Sequence, residues 1–182
     1  MRGSVMRLFV AIEFDDSFRK TLVDLSQKME ERAESGRFTP ADNWHLTLAF
    51  LGEVAPSRLL DLEKTLDACP VSAFPIRLTR IGRFPGREGK DLVWVGVEAN
   101  PEMMRLADAI RGGLRRGGFA FDPKPFVPHL TIGREIRMKQ EWMGRPDPQI
   151  PQAEFLADRF CLMESIREAG RIVYRPLFVK KA

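Results

Sequence analysis

Asn43-Trp44-His45-Leu46-Thr47-Leu48-Ala49-Phe50 and Pro128-His129-Leu130-Thr131-Ile132-Gly133-Arg134 are the two stretches that organise the reading of this chain. They contain both histidines of a 182-residue sequence, and each histidine opens a His-x-Thr-x pattern. The chain has six threonines, so finding one at +2 from both histidines by chance is roughly a one-in-a-thousand event. Side chains i and i+2 share one face of a strand. Each histidine therefore projects with its threonine, while Leu46, Leu48, Leu130 and Ile132 point the other way, toward a core. Two such strands side by side present two imidazoles and two hydroxyls to one cleft.

Working outward, Arg7–Phe14 is an apolar run suited to a buried strand. Asp15-Asp16-Ser17 supplies N-cap chemistry for a helix with Phe18, Leu22, Leu25 and Met29 on its apolar face, and Gly36 is read as its end. The strand Trp44–Phe50 leads into a helix over Pro56–Ala68 that buries Leu59, Leu60, Leu62 and Leu66. Strands at Phe74–Ile81 and Leu92–Val97 follow, joined by a basic loop. A helix from Pro101 turns Met104, Leu106, Ile110 and Leu114 inward and stops at Gly117-Gly118. Phe126–Ile132, Phe155–Met163 and Ile172–Val179 read as the remaining strands.

The order β-α-β-α-β-β-α-β-β-β argues an α+β fold with mainly antiparallel sheets. Strand–helix–strand over 7–50 resembles strand–helix–strand over 92–132, each unit ending on a histidine strand. The expected architecture is two pseudo-symmetric lobes with outer helices, flanking a central groove. Residues 1–182 are read as one bilobal domain, with 1–5 as an N-terminal extension.

Composition excludes several chemistries. Two histidines cannot build a three-histidine or HExxH zinc centre. Cys69 and Cys161 lie 92 positions apart, too far for a redox or zinc-ribbon pair, and are expected as reduced core residues. No apolar run approaches the ~18 residues of a membrane span, and the N-terminus lacks the apolar stretch of a signal peptide, so the expected compartment is cytoplasmic. Twenty-nine Lys+Arg against 25 Asp+Glu leave a net charge of +4, a mild bias toward anionic partners.

Imidazole is the side chain best matched to proton transfer near neutral pH, and a pair can divide the acid and base roles. Threonine hydroxyls are neutral donors suited to phosphate oxygens. On these motifs the sequence resembles the 2H phosphoesterase superfamily, in particular its RNA 2′,3′-cyclic phosphodiesterase or 2′-5′ RNA ligase branch. The likeness extends to Arg7-Leu8-Phe9-Val10-Ala11-Ile12, Trp94-Val95-Gly96-Val97, and the C-terminal Ser165, Gly170 and Tyr174. It implies a 2H phosphoesterase-like fold and hydrolysis of RNA 2′,3′-cyclic phosphate ends to 2′-phosphates, without metal or other cofactor. It also implies that the site can run backwards as a 2′-5′ ligation. Carried over, His45 is the proton donor, His129 the proton acceptor, and Thr47 and Thr131 hold phosphate oxygens. The implied partner is RNA with cyclic phosphate ends, tRNA-like RNA included, handled by a monomer with no membrane and no obligate protein partner.

The +5 positions break the symmetry: Phe50 follows His45 and Arg134 follows His129. Odd spacing puts both on the wrong strand face unless the strand bulges, which Gly133 favours beside Arg134. In the cleft, Phe50 would stack on a nucleobase and Arg134 would bind phosphate. Against these stand core packing for Phe50 and a surface salt bridge for Arg134. The basic segments Arg80–Lys90 and Arg111–Lys124 are either RNA contacts or solvated loops. Two other functions fit the same residues: a non-catalytic RNA-binding module using Phe50 or Phe84, and a 2H relative acting on a non-RNA cyclic nucleotide.

Overall fold

A computed structural model describes residues 5–182; apart from Val5, the N-terminal extension lies outside the described residues. Strand β1 (Met6–Glu13) leads to helix α1 (Asp16–Glu31), strand β2 (Ala33–Phe38), strand β3 (His45–Val54) and helix α2 (Leu59–Asp67). Strands β4 (Phe74–Phe84) and β5 (Asp91–Val97) precede helix α3 (Pro101–Arg116). The chain closes with β6 (His129–Met138), β7 (Glu154–Ala157), β8 (Arg159–Glu168) and β9 (Arg171–Lys181). All strand pairs are antiparallel, in two sheets ordered β3-β1-β8-β9 and β2-β6-β5-β4-β7.

The fold class is α+β, as the element order implies. The expected repeat is present: β1 and β3 pair across α1, and β5 and β6 pair across α3. Both longer helices start from side-chain caps. The Asp15 carboxylate accepts from the Phe18 amide at 2.7 Å, and the Asn100 side chain accepts from the Met103 amide at 2.9 Å, with Pro101 opening the helix. Phe18, Leu22, Leu25 and Met29 are buried along one face of α1. They join Leu8, Val10 and Ile12 of the first sheet and Val93, Val95, Leu130 and Ile132 of the second in one core cluster. Both cysteines are free and buried.

Five expectations need correction. Gly36 does not end a helix; α1 stops at Glu31, and Gly36 sits within β2 at φ +144°. A Cβ there would lie 2.9 Å from the Ile136 Cα, so glycine is what lets β2 approach β6. Phe155–Met163 is two strands in different sheets, separated at Asp158. The segment 56–68 begins as a 3-10 turn over Pro56–Arg58, and Leu60 is 60% exposed. In α3 the fully buried methionine is Met103 rather than Met104. The His129 strand also begins and ends later than expected, at His129 and Met138.

Candidate active site

The two histidine strands meet where the sheets adjoin. β3 is an edge strand of the first sheet and packs against β6 of the second. On β3, Thr47 stands opposite Ala11 and Ala49 opposite Val10, which leaves Leu48 without a partner. On β6, Thr131 stands opposite Trp94 and Gly133 opposite Val93, which leaves Ile132 without one. Each strand thus bulges at the residue after its threonine, and two consecutive residues turn into the core: Leu48-Ala49 and Ile132-Gly133. The bulge resets the alternation. Phe50 and Arg134 therefore return to the face that carries the histidines and threonines.

His45, Thr47, His129, Thr131 and Arg134 line one polar pocket of about 40 Å³, together with Thr39, Asn43 and Tyr174. The imidazoles are held alike. The Nδ1–H of His45 donates to the Asn43 carbonyl at 2.7 Å, and that of His129 to the Val127 carbonyl at 2.6 Å. A carbonyl can only accept, so the proton sits on Nδ1 and Nε2 is left to work in the pocket.

Their surroundings differ. His45 packs against Phe9 and edge-on to Tyr174, with ring centroids 4.9 and 5.1 Å away. Its pKa is lowered to about 4, chiefly by burial and then by the positive charge of Arg134. His129 contacts Phe84 at 5.5 Å and Trp94 at 5.9 Å. Its pKa is lowered too, by burial first and by Arg134. Arg134 has no carboxylate within salt-bridge distance among the described residues; the neighbouring Glu135 takes Arg37 instead, at 3.0 Å. The surface ion pair weighed for Arg134 is therefore absent. The site combines a free guanidinium, four hydroxyls (Thr39, Thr47, Thr131 and Tyr174) and two neutral imidazoles, a constellation that can bind an anion and exchange protons with it. Among the described residues, no three His, Cys, Asp or Glu side chains cluster as a metal site.

Phe50 is half-buried, packs against the small cluster of Phe9, Ala11, Cys161 and Met163, and has the Arg7 guanidinium 5.0 Å from its ring centre. It borders a second, wider groove that shares Thr47, His129 and Arg134 with the polar pocket. Phe126 lines that groove, whereas Trp44 is 3% exposed and belongs to the core.

The sequence alone does not single out three of the pocket residues as site residues. Thr39 arrives because β2 crosses to the second sheet, where its amide bonds the Ile132 carbonyl at 2.7 Å. Asn43 anchors His45 through its carbonyl, and its side-chain amide donates to the Ile172 carbonyl at 2.8 Å, tying the β9 end to the site. Tyr174 is the chain's single tyrosine, a scarcity that marks it in hindsight, and burial pushes its phenol pKa up.

Comparison with known proteins agrees with this geometry. The family model described as the 2'-5' RNA ligase superfamily matches residues 15–169. An RNA 2′,3′-cyclic phosphodiesterase of Thermotoga maritima is 30% identical over 177 residues, spanning 95% of this chain and 94% of the relative. One from Archaeoglobus fulgidus is 36% identical over 136 residues, 75% of this chain and 76% of the relative. Among solved structures, Escherichia coli LigT complexed with 3'-AMP superposes with a TM-score of 0.83 at 29% identity, covering 98% of both chains. With the family model spanning most of its length and relatives matching nearly end to end, the chain belongs to the 2'-5' RNA ligase superfamily.

Proposed function

We propose that this protein opens 2′,3′-cyclic phosphate ends of RNA to 2′-phosphates by two-histidine acid–base catalysis. The observation that carries the reading is the convergence of both His-x-Thr strands and the unpaired Arg134 on one small polar pocket. The names of the relatives and the complex of E. coli LigT with 3'-AMP support a nucleotide phosphate as the reacting group.

In this reading Arg134, Thr47 and Thr131 hold the non-bridging phosphate oxygens. His129 Nε2 takes a proton from water as the water oxygen bonds to phosphorus. The P–O3′ bond breaks, and His45 Nε2–H gives its proton to the departing O3′, leaving a 2′-phosphate. Burial keeps both imidazoles neutral in the empty site. That suits the base at once, while His45 is charged once the phosphate anion sits beside it. With a 5′-hydroxyl in place of water, the same steps form a P–O5′ bond as P–O3′ breaks and join two RNA ends through a 2′-5′ linkage, a step that is reversible. The protein acts as one bilobal unit, monomeric and cytoplasmic, with no obligate protein partner. Among the described residues no helix is long and apolar enough to cross a membrane.

The test is incubation with a 2′,3′-cyclic mononucleotide in EDTA, with the product identified by phosphorus NMR. The expected product is the 2′-phosphate alone. Binding without any product points to a non-catalytic RNA-binding module and sinks the enzyme reading; turnover only after metal is added sinks the two-histidine mechanism.

A further inference from the structure

The first sheet is ordered β3-β1-β8-β9, so β3 and β9 are its two edges, with two strands between them. They are nevertheless joined. The side-chain amide of Asn43, in the turn that opens β3, donates to the Ile172 carbonyl of β9 at 2.8 Å, across 129 positions of sequence. The β8–β9 hairpin turns at Ala169-Gly170, both at positive φ, and its end curls over the cleft face to reach that bond. Two residues on from Ile172, Tyr174 lies edge-on to the His45 ring with centroids 5.1 Å apart, and Phe9 is 4.9 Å from each of them.

Asn43 therefore holds His45 from two directions. Its carbonyl accepts from the imidazole Nδ1–H at 2.7 Å, and its side chain holds the strand whose tyrosine covers the ring. The other half has no such device. The carbonyl under His129 belongs to Val127, which is 46% exposed and whose side chain has no donor. The titratable and charged groups around His45 are Arg134 and His129 of β6, Tyr174 of β9, Glu13 opposite it on β1 and the exposed Asp42 of its own turn. The Glu13 carboxylate accepts from the Cys161 thiol at 3.3 Å. A change at Asn43 removes none of these groups, so what it alters is the cover over the ring.

We infer that Asn43 is a positioning residue for His45: its side-chain amide clasps the β8–β9 hairpin over the imidazole while its carbonyl orients the ring, and His129 is set without a clasp. The consequence for turnover rests on the phosphodiesterase reading, in which His45 is the proton donor; the clasp itself does not. A displaced imidazole leaves Thr47, Thr131 and Arg134 where they are, so the loss falls on kcat rather than KM. A misplacement of about 1 Å costs up to about 10²-fold in rate.

The experiment follows both imidazoles by NMR titration and measures kcat and KM on a 2′,3′-cyclic mononucleotide in the wild type, Asn43→Ala, Asn43→Leu and Ile172→Ala. Leucine keeps the shape of asparagine without its donor and adds no charge, and Ile172→Ala keeps the accepting carbonyl. In both Asn43 variants the His45 titration should rise from about 4 toward 6.5 as the ring loses its cover, while that of His129 stays in place. Their kcat should fall about 10- to 100-fold with KM little changed, and Ile172→Ala should match the wild type. Equal movement of the two imidazoles, or a loss carried by KM, overturns the inference. So do Asn43 variants that match the wild type, or an Ile172→Ala variant that reproduces their changes. A wild-type protein that opens no cyclic nucleotide sinks the phosphodiesterase reading instead, and the titrations then decide the clasp alone.

Discussion

The two halves of the cleft are built alike and furnished differently. Each has a histidine whose Nδ1 donates to the carbonyl two residues earlier, a threonine at +2, a bulge at +3 and a cleft-facing residue at +5. On the first sheet the +5 residue is Phe50 and the histidine is enclosed by Phe9 and Tyr174. On the second it is the free cation Arg134, and His129 stands next to the open groove. Matching backbone with unlike neighbours puts two chemically identical imidazoles in different surroundings, the arrangement by which one scaffold can give them different tasks. In the proposed mechanism the enclosed histidine serves the leaving oxygen and the open one meets water.

The sharpest way to break that division is to change the leaving atom. His45→Ala and His129→Ala should each lower turnover of a cyclic nucleotide by about 10²–10⁴-fold, the contribution of a positioned acid or base. A cyclic substrate with sulfur in place of O3′ departs without protonation. Steady-state rates on it should recover in His45→Ala and stay low in His129→Ala. Recovery in the opposite variant exchanges the two roles.

A second test needs no substrate. Folding lowers the pKa of His45 from its ordinary value of 6.5 to about 4. Between those values the unfolded chain binds a proton that the folded chain refuses, so stability drops as pH falls from about 6.5 toward 4 and is retained above 6.5. The full effect is about 3 kcal/mol, because a tenfold change in proton affinity is worth about 1.4 kcal/mol. Urea unfolding at pH 7 and pH 4.5 should show a smaller loss in His45→Gln than in the wild type. An identical loss means the imidazole is not held neutral.

Much of this asymmetry was legible in the sequence, since the paired motifs, the +5 residues and the glycine at the bulge all stand in it. Strand β2 was not. Its residues Ala33-Glu34-Ser35-Gly36-Arg37-Phe38 are mostly exposed and show no apolar alternation, because the strand forms by backbone pairing to an edge that β6 offers. Thr39 enters the site only through that pairing, so it could not be seen before the topology. Tyr174 and Asn43 are likewise brought in by long-range contacts, between β9 and the turn before β3. The break at Asp158 was hidden for another reason: two strands of different sheets run on with a one-residue gap, and hydrophobicity does not register which sheet a strand joins.

Arg134 supplies the smallest effect and the most specific one, because it acts on both halves at once. Its charge lowers the pKa of His45, of His129 and of Tyr174. Replacing it with methionine removes a cation of similar reach, and all three pKa values should move up together in an NMR titration. Loss of a hydrogen bond to a charged group is worth about 1.5–3 kcal/mol, so kcat/KM for a cyclic nucleotide should fall roughly 10- to 150-fold. Arg134→Lys keeps the charge and loses the two-pronged geometry, so the titrations should stay near wild type while part of the rate loss remains. A rate loss in Arg134→Met without any movement of the imidazole titrations would mean that the guanidinium does not face the cleft. The bulge at Ile132 would then have failed to carry the +5 position onto the histidine face, and the likeness of the two halves would end at their threonines.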